Sequence, residues 1–70
     1  MTERKWTRTS STSWRCEPWV IARVTVHSRE RFELWHDDER GIVAVKDSFN
    51  EARDAAKRLE NARAKQGEND

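Results

Sequence analysis

One cysteine, one proline, two glycines and no tyrosine occur in this chain of 70 residues. A single thiol, Cys16, excludes an internal disulfide framework and any cysteine-rich zinc site. It reads instead as a small, partly buried apolar side chain. Long hydrophobic runs are missing too: the longest, Trp19–Ala22, is far too short to cross a bilayer. Nor does an apolar stretch follow the polar start Met1-Thr2-Glu3-Arg4-Lys5-Trp6 that could serve as a secretory leader. The expectation is a soluble, cytoplasmic protein with no membrane partner. With so little glycine there is no phosphate-cradling loop, and no serine sits in a nucleophile-elbow context. The sequence therefore assigns no catalytic residue and no cofactor.

Metal-ligating side chains do cluster at His27, His36, Asp37 and Asp38. Strand parity sends the two histidines to opposite faces, so no metal site is assigned. Charged residues make up 39% of the chain and hydrophobic ones 34%, which limits the core of a single small domain. Four tryptophans compensate, because each can bury a large area. The net charge is only +1 but is unevenly spread. Arg4, Lys5, Arg8 and Arg15 face Glu3 alone in the first fifteen residues, while Asp37-Asp38-Glu39 is the densest acidic cluster.

Three segments follow from composition. Residues 1–18 form a polar arm rich in Ser, Thr, Arg and Trp, with one candidate edge strand near Trp14. Residues 19–66 form a single β-β-β-α domain, and 67–70 an acidic tail. Within the domain, Trp19–His27, Arg31–His36 and Ile42–Lys46 read as strands, with Asp37–Gly41 as a turn. Val20, Ala22, Val24 and Val26 fall on one face of the first strand, and Trp19, Ile21, Arg23 and Thr25 on the other. Pairing even-numbered Val24 and Val26 with even-numbered Phe32 and Leu34 requires an odd loop such as Ser28-Arg29-Glu30. That register sets Arg23 opposite Trp35. Ser48-Phe49-Asn50-Glu51 has capping-box spacing, and from Phe49 the apolar period becomes helical. Phe49 and Leu59 are expected to dock a helix otherwise lined with alanine, and Gly67 to stop it. The fold class is α+β: a three-stranded antiparallel meander, four-stranded if the arm adds an edge, with one C-terminal helix on one face.

This element order, with Asp47-Ser48-Phe49-Asn50-Glu51-Ala52 opening the helix, resembles the arm-site DNA-binding domains of tyrosine recombinases. It is also similar to truncated antitoxin domains with a short sheet and one helix. The resemblance covers Trp19–Ala64 and implies the fold alone.

One helix cannot cover both faces of a sheet. With the valine face beneath the helix, the other face presents Trp19, Ile21, Arg23, Glu33 and Trp35 as a protein-binding patch. The leading expectation is a small non-enzymatic accessory factor or inhibitor acting by protein–protein contact. Factors of this size are often encoded by phages or mobile elements, blockers of host defence of the anti-CRISPR type among them. The rival reading is a DNA- or RNA-binding module using Arg8, Arg15, Arg23, Arg29 and Arg31. A third is a homodimer that buries the open face. A protein partner is favoured over nucleic acid, because four cations in the arm make a small electrostatic footprint.

Overall fold

The computed structural model describes residues 5–68, with side chains to residue 63. Five strands precede one helix: β1 (Thr7–Ser10), β2 (Ser13–Cys16), β3 (Trp19–Val26), β4 (Arg29–His36), β5 (Ile42–Lys46) and α1 (Phe49–Glu68). Each strand pairs antiparallel with the next, so the sheet is a meander in sequence order. The α+β class stands, but the strand count is five rather than three or four.

The two extra strands come from the polar arm. β2 pairs with β3 from Ser13↔Ala22 to Cys16↔Trp19, across a tight turn at Glu17-Pro18. Trp14 and Cys16 point to the helix side, an alternation of only two residues. Backbone pairing supplies the rest, including an Arg23 N–H that donates to the Thr12 carbonyl at 2.7 Å. The arm and the β-β-β-α segment thus share one sheet. The helix continues past Gly67 to Glu68, and the tail positions Asn69 and Asp70 lie outside the described residues.

The turn between β3 and β4 overturns the register read from the sequence. It has two residues, His27 and Ser28, with φ of 52° and 64°. Two successive left-handed residues make a type I′ turn, whose twist matches that of paired strands. Each pair now joins an odd residue of one strand to an even residue of the other, from Trp19↔His36 to Val26↔Arg29. Trp19 and Ile21 therefore share a face with Phe32 and Leu34, while the valines of β3 join Glu33 and Trp35. Volume explains the choice. Trp19 and Ile21 bury much more apolar area than the Val/Ala set would, and area removed from water sets the gain. Trp19, Ile21 and Leu34 are essentially inaccessible to solvent.

The helix packs on this face through Ala52 and Ala56, both buried. Small side chains bring the helix backbone close to the sheet. Phe49 contributes as expected, with its ring 5.0 Å from that of Trp14 and 6.1 Å from that of Trp6. Leu59 does not: it is exposed. Beyond Ala56 the sheet-facing line runs to Arg63, whose guanidinium lies 5.7 Å from the Trp19 ring centre and 3.1 Å from Glu39.

The helix start is capped as its sequence implies. The Glu51 N–H donates to Ser48 Oγ at 3.1 Å, and Glu51 Oε2 accepts from the Asp47 N–H at 3.4 Å. The reciprocal bond thus reaches one residue further back than in the standard box. Ser48→Ala should cost about 1 kcal/mol. It should appear in urea unfolding as a lower midpoint with an unchanged slope.

His36 is buried at the end of β4, edge-on to Trp19 at 4.5 Å between ring centres. Its Nδ1 accepts from the Asp38 N–H at 3.0 Å, and its Nε2 lies 3.2 Å from Arg63 Nη1. A guanidinium only donates, and a neutral imidazole carries one N–H. The Asp38 N–H is fixed by the backbone, so Nδ1 is the acceptor and Nε2 holds the proton. The Arg63 approach is then a packing contact rather than a bond. Long-range ¹⁵N–¹H correlation spectra should show the Nε2–H tautomer for neutral His36; an Nδ1–H tautomer would contradict this assignment.

Candidate functional site: the uncovered face of the sheet

Every buried apolar residue of the core cluster lies on or beneath the helix side of the sheet. Among the described residues no element packs on the other side. Trp6 and Trp14 do not cover it, because both pack against the core cluster beside Phe49. What remains open is the second face of the five-stranded sheet, polar at β1 and apolar across β3–β5.

Cross-strand pairing arranges that face in rows. Arg15, Val20, Trp35 and Ile42 form one row across β2, β3, β4 and β5. Ser13, Ala22, Glu33 and Val45 form the next. Val24 pairs with Arg31, and Val26 with Arg29 at the hairpin tip. Ile42 and Val45 are each 45% exposed and Val26 is 52% exposed, while Val20, Ala22, Val24 and Trp35 are half-buried. The centre is thus apolar and the two ends are charged. At one end Arg15 Nη2 donates to Asp37 Oδ2 at 2.8 Å, and Arg15 Nε lies 3.7 Å from Glu17 Oε1. At the other, Arg31 lies 3.6 Å from Asp47. Such exposed pairs contribute little to stability, about 0–1 kcal/mol each.

The structure splits the five residues expected to form a protein-binding patch. Glu33 and Trp35 are on the open face. Trp19 and Ile21 are core residues, so neither can touch a partner without unfolding the sheet. Arg23 is opposite Phe32 on the helix side, 3.7 Å from Glu30, and does not meet Trp35. The three-residue change of register, an odd number, moved Trp19 inward and brought the β3 valines outward. Ile42 and Val45 were not singled out from the sequence, where β5 is apolar on both faces and its orientation is ambiguous.

The five arginines of the nucleic-acid reading are dispersed. Arg15, Arg29 and Arg31 border the open face, at opposite ends. Arg8 lies 5.9 Å from the Trp14 ring centre and bonds the Ser10 and Ser11 carbonyls at 3.1 and 3.0 Å, on the same side as Arg23. No continuous basic stripe results, although phosphate tracking depends on one.

Both sheet edges are irregular. The β1–β2 register shifts between Arg8 and Ser10, and in β5 Val43 is an extra residue between Ile42, opposite Trp35, and Ala44, opposite Leu34. Bulges twist an edge away from regular pairing and discourage strand addition. Elsewhere, a groove of about 140 Å³ between β5 and α1 is lined by Lys46, Glu51, Asp54, Ala55 and Arg58. It is smaller and more charged than the apolar pockets that hold small ligands, which run to about 300 Å³ or more. No three His, Cys, Asp or Glu side chains among the described residues are placed to hold a metal ion, and no described helix is long and apolar enough to cross a membrane.

Comparison of the chain with protein-family models, with curated proteins and with solved structures found no match in any of the three.

Proposed function

We propose that this protein is a binding module without chemistry of its own, which acts by docking its uncovered sheet face on another protein surface. The observation that carries this reading is the row Val20–Trp35–Ile42, with Val24 and Val45 beside it, left uncovered at the centre of the sheet. A tryptophan held among aliphatic side chains and ringed by arginines and a glutamate has the make-up of an interface centre. The bulged edges favour contact through the face over pairing through an edge. Occupying and blocking a partner's surface is the action such a face supports, as for an accessory factor or inhibitor.

A photo-crosslinking amino acid in place of Val45 tests this in cells that produce the protein, with the same group in place of Lys57, exposed on the helix, as reference. Expected are discrete protein adducts from position 45 that are lost in the Trp35→Ala background and absent from position 57. Adducts to nucleic acid, or no adduct from position 45, would overturn the reading.

A further inference from the structure

We infer that the tip of the β3–β4 hairpin is a two-stranded ribbon that inserts into a narrow cleft of the partner protein, with an apolar wall against Val26 and a carboxylate against Arg29. The inference rests on the reading of the open face as a docking surface and names the shape and chemistry of what meets it.

Strand lengths build the ribbon. β2 follows β3 only as far as Ala22, with the Thr12 carbonyl accepting from the Arg23 N–H, and β5 follows β4 only as far as Phe32. Beyond those points Val24↔Arg31, Thr25↔Glu30 and Val26↔Arg29 pair with each other alone. The turn therefore stands about 10 Å past the neighbouring strands at strand rise. The helix does not cover it either, because α1 starts at Phe49, whose ring meets Phe32. Residues 25–30 are exposed on both faces of the ribbon, and Val26 is 52% exposed. A ribbon of two strands is marginally stable at best in water by itself. None of its residues joins the core cluster, so burial does not account for its length.

The turn is strained as well. His27 and Ser28 hold φ of 52° and 64°. That region disfavours residues with a Cβ, and Asn-Gly is the pair that fits such a turn with least strain. Strained backbone gathers where side chains serve recognition, and here it sits at the end of an unpacked ribbon.

Charge names the partner's chemistry. Arg23 lies 3.7 Å from Glu30 and Arg31 lies 3.6 Å from Asp47, whereas among the described residues Arg29 has no ion-pair partner. One unpaired cation beside an exposed valine matches a single carboxylate at an apolar wall. A duplex major groove also admits a two-stranded ribbon, but phosphate binding draws on several free cations, and Glu30 at the tip would be repelled. Val26 and Arg29 continue the open face beyond Val24 and Arg31, so ribbon and face form one surface.

The photo-crosslinking group in place of Thr25, on the helix side of the ribbon, tests this beside the position-45 probe. A cleft encloses both faces of a ribbon. Position 25 should therefore give the same protein adduct as position 45, and the peptide joined to it should contain Asp or Glu. Arg29→Glu should lower both adducts about tenfold or more, and Arg29→Lys should retain them. His27→Asn combined with Ser28→Gly should raise the thermal midpoint by about 4–8 °C yet lower both adducts about tenfold. All these variants should keep the wild-type circular dichroism, since every altered side chain is exposed. An Asn-Gly variant that gains stability and keeps its adducts would overturn the inference, as would adducts indifferent to Arg29→Glu or nucleic-acid adducts from position 25. Adducts from position 45 with none from position 25 remove the inserted ribbon but keep the docking face, whereas no adduct from position 45 removes the docking reading itself.

Discussion

Trp19→Ala should unfold the protein at room temperature, whereas Trp35→Ala should leave it folded. Trp19 is 1% exposed and packs between the sheet and the helix against His36 and Arg63. Truncating a buried tryptophan costs about 3–5 kcal/mol, which matches the whole stability expected of a 70-residue domain without disulfides. The loss has a second source: the cavity would open beneath alanines, Ala52 and Ala56, too short to collapse into it. Trp35, half-buried on the open face, should cost about 1 kcal/mol on truncation because water can refill its place. Far-UV circular dichroism and thermal melts of the two variants check the contrast. The reverse order of stability would place Trp35 in the core and invert the face assignment on which the docking reading depends.

The second large effect is expected at Phe49. Its ring contacts those of Trp6, Trp14 and Phe32, at 6.1, 5.0 and 6.5 Å between centres. It is the residue through which the first turn of α1 is joined to the strands of the N-terminal arm. Phe49→Ala should lower stability by about 2–3 kcal/mol, less than a fully buried phenylalanine because the side chain is half-buried. It should also red-shift the emission of Trp6 and Trp14 in the folded state, as both lose the face of the ring that shields them. An unchanged emission spectrum would show that the arm is held by backbone pairing alone.

The helix and its start were legible in the sequence because capping is local: Ser48 and Glu51 are three residues apart and meet without help from the rest of the chain. The strands β3 and β4 are legible for the same reason, each carrying its own alternation, and β5 is legible as a short apolar run after the Asp37–Gly41 turn. The register was not. The two faces of β3 both alternate cleanly, so periodicity alone cannot say which is buried. The deciding signals are the volume of Trp19 and Ile21 and the readiness of His27 and Ser28 to adopt positive φ without glycine. A two-residue turn there lacks the usual Asn-Gly or Asp-Gly mark. The candidate site inherited that error in part. Periodicity sets Glu33 and Trp35 beside the other face of β3, and it leaves the orientation of Ile42 and Val45 open because a bulge at Val43 fixes it only in the folded sheet. β1 and β2 were obscured by composition, since Ser, Thr and Arg give no apolar rhythm beyond Trp14 and Cys16.

Which residues of β3 face which residues of β4 decides what the open face presents, and nuclear Overhauser effects between Hα atoms across that pair measure it directly. A two-residue turn makes Val26↔Arg29 a hydrogen-bonded pair, so the close Hα contacts fall at alternate positions beyond it. Strong cross-peaks are expected for Arg23 with Phe32 and for Ile21 with Leu34. Cross-peaks joining Arg23 to Trp35 or Thr25 to Glu33 would instead report a three-residue turn. They would return Trp19 and Ile21 to the open face and contradict the assignment of Val20, Trp35, Ile42 and Val45 as the docking surface.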